Sequence, residues 1–79
     1  MIRMFFESEE PHHRPHFHAY FQEHNTTIGI DPLEPLAGSI PRKQERMILA
    51  WAEIHQRELR DCWQRLQSGQ PPGNIEPLR

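Results

Sequence analysis

Apolar and polar residues alternate with period two along three stretches of the first half of the chain. In "IRMFF" (2–6), Ile2, Met4 and Phe6 share one side and Arg3 and Phe5 the other. In "HFHAYFQ" (16–22), Phe17, Ala19 and Phe21 oppose His16, His18 and Tyr20. In "TTIGID" (26–31), Ile28 and Ile30 are the apolar positions. Period-two alternation is the mark of a strand with one face buried. The pattern predicts a hairpin over 16–22 and 26–31, closed by a two-residue turn at His24 and Asn25. In that register Phe21 faces Ile28, Ala19 faces Ile30 and His18 faces Asp31, so both apolar sets fall on one face.

Between the first two stretches, "ESEEPHHRP" interrupts the pattern with charge and two prolines and reads as a loop. "DPLEPLAGS" turns the chain at Pro32 and adds a short strand near 34–37, which Pro35 confines to an edge. From about 41 to 68 the period changes. Ile48, Ala52, His55, Leu59, Cys62 and Leu66 recur at steps of four and three, flanked by Trp51 and Trp63. The segment contains no internal Pro or Gly and predicts a single long helix. Ser39 is its expected N-cap, Pro41 lies in its first turn and Gly69 ends it. Glu53, Arg57, Asp61 and Arg65 form an i,i+4 ladder on a second side. The expected fold is α+β: a small three- or four-stranded antiparallel sheet, packed on one face by one C-terminal helix. The domain spans 1–79 and ends in a Pro-rich tail, 70–79.

Composition narrows the function classes. Nine Lys and Arg against eleven Asp and Glu give a formal charge of −2. That disfavours bulk electrostatic capture of nucleic acid. The single cysteine, Cys62, excludes an internal disulfide and suits a reducing cytoplasm. The acidic opening "MIRMFFESEE" does not read as a signal peptide, and no apolar run approaches membrane-spanning length.

One helix covers one face, which leaves the opposite face carrying Arg3, Phe5, His16, His18, Tyr20, Thr27 and Asp31. Three readings compete for it. His-x-His on a strand sets two rings on one side, roughly 6.5–7 Å apart at Cα, which suits two ligands of one metal ion. Zinc or nickel at His16 and His18 would take its third ligand from His12, His13 or Asp31; without that metal, no cofactor is expected. His55 sits on the helical stripe, on the far side of the sheet. Alternatively the same set resembles the parts of a small nuclease or phosphotransfer site: His16 and His18 for proton transfer, Asp31 to orient His18, Arg3 for a phosphate, Tyr20 beside them. The third reading has no chemistry. The half-exposed face is a docking surface for a protein partner or a second copy, anchored by Phe5 and Tyr20. Arg42, Lys43 and Arg46 crowd the helix start, either as a solvated turn or as a contact for an acidic partner or phosphate backbone.

Pro15-His16-Phe17-His18, Gly38-Ser39-Ile40-Pro41, Trp51-Ala52-Glu53-Ile54-His55, Trp63 and Ile75-Glu76-Pro77-Leu78 together resemble an uncharacterised bacterial family, domain of unknown function 4160. The chain departs from that pattern in lacking a short extension before the first strand and in carrying an extra His and Arg before Pro15. The resemblance implies a small cytoplasmic bacterial protein, one member of a toxin–antitoxin-like or regulatory gene pair, with interest falling on His16, His18 and His55. The leading expectation is a protein-interaction module. The alternatives are a His-based metal- or phosphate-handling enzyme and, more weakly, a DNA-binding regulator.

Overall fold

Four strands follow one another in chain order and pair with their sequence neighbours. The computed structural model describes residues 2–6, 14–71 and 75. β1 (Ile2–Phe5), β2 (His16–Phe21), β3 (His24–Ile30) and β4 (Leu33–Ser39) form one antiparallel sheet in the order β1-β2-β3-β4. The loop expected before Pro15 falls mostly on 7–13, outside the described residues, and so do His12 and His13.

The β2–β3 hairpin is the predicted one in a different register. Phe17 stands opposite Ile28, His18 opposite Thr27 and Phe21 opposite His24. The turn is therefore Gln22–Glu23 and not His24–Asn25, and Gln22 takes a positive φ of 55°. The pairing moves by an even number of residues, so every side chain keeps its face. Phe17, Ala19, Ile28 and Ile30 are all fully buried. His18 now meets Thr27, and Asp31 lies beyond the end of the hairpin.

β4 is longer than the segment expected at 34–37. Its pairing with β3 slips by one residue between Thr27 and Ile28: Thr27 faces Ala37, but Ile28 faces Pro35. Leu36 is the extra residue, and the bulge lets Pro35 sit in an edge strand that lacks its N–H. Ser39 belongs to this strand and is not the helix cap. The cap position is Pro41, which makes no side-chain hydrogen bond.

The single long helix is two. α1 (Arg42–Ile54) and α2 (Gln56–Gln67) meet at His55, whose φ of −105° and ψ of 19° leave the helical region. The hydrogen-bond path carries through the break: the His55 N–H donates to Trp51 O at 3.0 Å, and the Leu59 N–H to His55 O at 2.9 Å. The break divides the charge ladder, leaving Glu53 on α1 and Arg57, Asp61 and Arg65 on α2. α2 ends at Gly69 as expected. Gly69 has φ 79°, its N–H donates to Leu66 O, and the Gln70 N–H donates to Arg65 O at 2.8 Å.

The break aims the two helices at different parts of the sheet. α1 lies against one face, where Ile48, Trp51 and Ala52 are buried and Trp51 meets Phe17 edge-on, 6.1 Å between centroids. α2 crosses the end of the sheet where β2 begins and β3 finishes. Gln56 donates to Ile30 O at 2.7 Å, Arg60 reaches Asp31, and Trp63 reaches His16. These three residues stand at i, i+4 and i+7, one side of a helix. Ile2, Met4, Phe6, Phe21, Leu33 and, from the tail, Ile75 pack around the buried centre. The rest of the tail that is described, Gln70 and Pro71, is exposed. Among the described residues, no helix is long and apolar enough to cross a membrane.

Candidate functional site

The register places the candidate residues in three cross-strand rows on the face away from α1. One row joins His16, Gly29 and Glu34. The next joins Phe5, His18, Thr27 and Ala37, and the third joins Arg3, Tyr20, Asn25 and Ser39. Five rings run continuously through them. Trp63 meets His16 at 4.9 Å, His16 meets His18 at 5.3 Å edge-on, His18 stacks on Phe5 at 5.3 Å, and Phe5 meets Tyr20 at 5.2 Å edge-on. Such pairs add about 0.5–1.5 kcal/mol beyond area burial.

The two histidines occupy different environments. Parity alone turns both away from the helix, but His16 lies under it. Its residue is 1% exposed because the Trp63 ring, brought round by the break at His55, covers it. The His16 Nδ1–H donates to the Arg14 carbonyl at 2.8 Å. His18 is half-buried and shares a 3.2 Å hydrogen bond between its Nδ1 and the Thr27 hydroxyl. The Nε2 atoms of both rings are buried. The open part of the face presents Phe5 and Tyr20 to solvent.

Asp31 does not join the set. Because the hairpin pairs His18 with Thr27, Asp31 falls in the β3–β4 turn, where its carboxylate lies 3.4 Å from the Arg60 guanidinium. It neither orients His18 nor completes a ligand set with it. Among the described residues, no group of three or more His, Cys, Asp or Glu side chains stands together as a metal site. His12 lies outside the described residues. Arg3 is exposed at the corner of the face beside Tyr20. Arg42, Lys43 and Arg46 are exposed at the start of α1.

His55 lies on the other side, its ring tilted against Trp51 at 5.1 Å, and its Nδ1–H donates to Glu58 Oε1 at 2.7 Å. Cys62 is buried on α2, and desolvation pushes its thiol above the usual value, with Arg65 opposing and Asp61 and Glu58 assisting. It is a small core residue in thiol form.

Arg14 escaped the sequence reading. Its guanidinium lies across Gly29, donates to Pro32 O at 3.0 Å and pairs with Glu34 at 2.8 Å. A Cβ on Gly29 would stand 2.8 Å from its Nη2, so the bare glycine makes room for the side chain. Arg14 and Trp63 thus close the His16 row from two sides, and the rows of Phe5 and Tyr20 stay open. The signal in sequence is a glycine inside a strand, which marks a close approach without naming what approaches.

What these features define is a small α+β domain whose four-stranded meander is covered on one face and presents rings on the other. Residues 1–64 match the family model described as Domain of unknown function (DUF4160), and the chain belongs to that family. The closing "IEPL" lies beyond the matched residues. No curated protein and no solved structure matches the chain.

Proposed function

We propose that this protein is a protein-interaction module and that the open part of the sheet face is its binding surface. The carrying observation is the exposure of two large aromatic rings side by side, Phe5 at 38% and Tyr20 at 46%. Their polar neighbours are small or neutral apart from Arg3. Aromatic anchors in a weakly charged patch are the composition of an interface centre. Burial of both Nε2 atoms favours this reading over proton transfer or metal capture at His16 and His18, since neither nitrogen is presented to solvent. The formal charge of −2 favours it over a nucleic-acid role. The family resemblance adds a companion protein encoded beside it, in a toxin–antitoxin-like or regulatory pair within the cytoplasm.

The test is a photo-crosslinking amino acid at position 20 in the native host. A discrete protein adduct, of whatever composition, is expected. An equivalent probe at exposed Arg57, on α2, serves as the control. Equal labelling at both positions, or none at position 20, removes the reading.

A further inference from the structure

The open face has two unlike halves. Its β1–β2 half is a ridge of rings, Phe5, His18 and Tyr20, held together by their mutual contacts. Its β3–β4 half is a shelf of small side chains: Thr27 and Ala37 in the ring row of Phe5, Asn25 and Ser39 in the row of Tyr20. Ridge and shelf have equal numbers of rows and lie side by side on four strands. A surface of that form is complementary to itself.

We propose that the occupant of this face is a second copy of the chain, packed sheet to sheet about a two-fold axis parallel to the strands and running between β2 and β3. This rests on the interaction reading above and names the partner. The symmetry is specific. Rotation about that axis sets β1 over β4 of the partner subunit and β2 over its β3. Phe5 then lies over the partner's Ala37, Tyr20 over the partner's Asn25, and His18 over the partner's Thr27. Each ring meets a small side chain, which two sheets about 10 Å apart require. The other two-fold axis in that plane, perpendicular to the strands, sets rings on rings and brings the β1 strands of the two copies together. Arg3 argues against it, because the two guanidiniums would then share one edge. With the strand-parallel axis they lie on opposite edges, each over Ser39 of the partner subunit.

The face is small. The row of His16 is already closed by Arg14 and Trp63, so two rows on four strands remain. That area belongs to the class of weak, reversible associations rather than permanent dimers. Half-occupancy is accordingly expected at high protein concentration, in rapid exchange.

Facing strands of two sheets about 10 Å apart are beyond the reach of a disulfide, so a short bismaleimide that bridges two thiols tests the arrangement directly. Phe5→Cys mixed with Ala37→Cys is expected to give a crosslinked heterodimer. Each variant alone is expected to give little, because its two new thiols lie on opposite edges of the pair, and buried Cys62 serves as the internal control for nonspecific labelling. Sedimentation equilibrium of the unaltered protein is expected to show a concentration-dependent dimer that Ala37→Glu abolishes; Ala37 is exposed on an edge strand, so that variant keeps the native circular dichroism. A monomer at every concentration overturns the proposal, and so does crosslinking of Phe5→Cys to itself in preference to Ala37→Cys. If the protein is monomeric while the probe at position 20 captures a different protein, the dimer fails and the interaction reading stands.

Discussion

Gly38 and Gly69 adopt nearly the same backbone conformation, φ 74° and 79°, in different surroundings. A Cβ on Gly69 meets nothing, whereas one on Gly38 would stand 2.5 Å from the Asn25 carbonyl oxygen. Gly69→Ala is expected to destabilise by about 1–2 kcal/mol, the cost of left-handed backbone alone. Gly38→Ala should cost about 1–3 kcal/mol more, because the β3 backbone must give way. Urea denaturation of the two variants measures the difference. Cys62 makes a prediction about pH. Its thiol is raised above 9.0 in the folded state by burial, so as pH climbs past about 9 the unfolded chain releases this proton and the folded chain keeps it. Stability contributed by the neutral thiol is full below that range and declines above it. The decline should be shallower in Cys62→Ala. In agreement, iodoacetamide at pH 8 should label Cys62 far more slowly in native than in urea-unfolded protein.

Among the elements, three of the contacts that hold α2 to the sheet are of unequal worth. The Arg60–Asp31 pair is about half exposed on both sides at 49% and 55% and spans 3.4 Å. Asp31→Asn should change stability by about 1 kcal/mol or less. Gln56→Ala leaves the Ile30 carbonyl without its side-chain donor and should cost about 1–3 kcal/mol. Trp63→Ala opens a space over His16 and should cost about 3–5 kcal/mol. Thermal melts of the three variants give the ranking, and an Asp31→Asn loss equal to that of Trp63→Ala would contradict it. The same elements show what the sequence disclosed. Alternation identified β2 and β3 and their buried faces, because parity is insensitive to a shift of an even number of residues. For that reason it misplaced the turn: a Gln22–Glu23 turn and a His24–Asn25 turn preserve the same faces. The break at His55 left no mark, since neither proline nor glycine stands there. His16 was misjudged as a consequence, because a strand pattern assigns a side chain to a face but does not reveal which third element folds over that face.

At the scale of the whole molecule, the α+β class, an antiparallel sheet of three or four strands with helical structure after it, followed from two periodicities and the position of the prolines; the chain-order meander of four strands and the division of the helix into two did not. The candidate site was legible in part. Phe5, Tyr20 and His18 came together on the open face as alternation requires, while Asp31 left the set with the change of register and Arg14 entered it from a stretch that reads only as loop. The meander has another result, apart from any site. Every strand partner is the adjacent strand in the chain, and the helical residues buried in one cluster with Phe17, Ala19, Ile28 and Ile30, among them Ile48, Trp51, Ala52 and Leu59, come after all four strands. During synthesis from the N-terminus, the sheet can assemble through short-range closures before its lid exists. A chain cut off after Ser39 would carry a bare oily surface where Ile48, Trp51 and Ala52 otherwise lie, so the strands depend on α1 and α2, or on a chaperone until those helices dock, to escape aggregation.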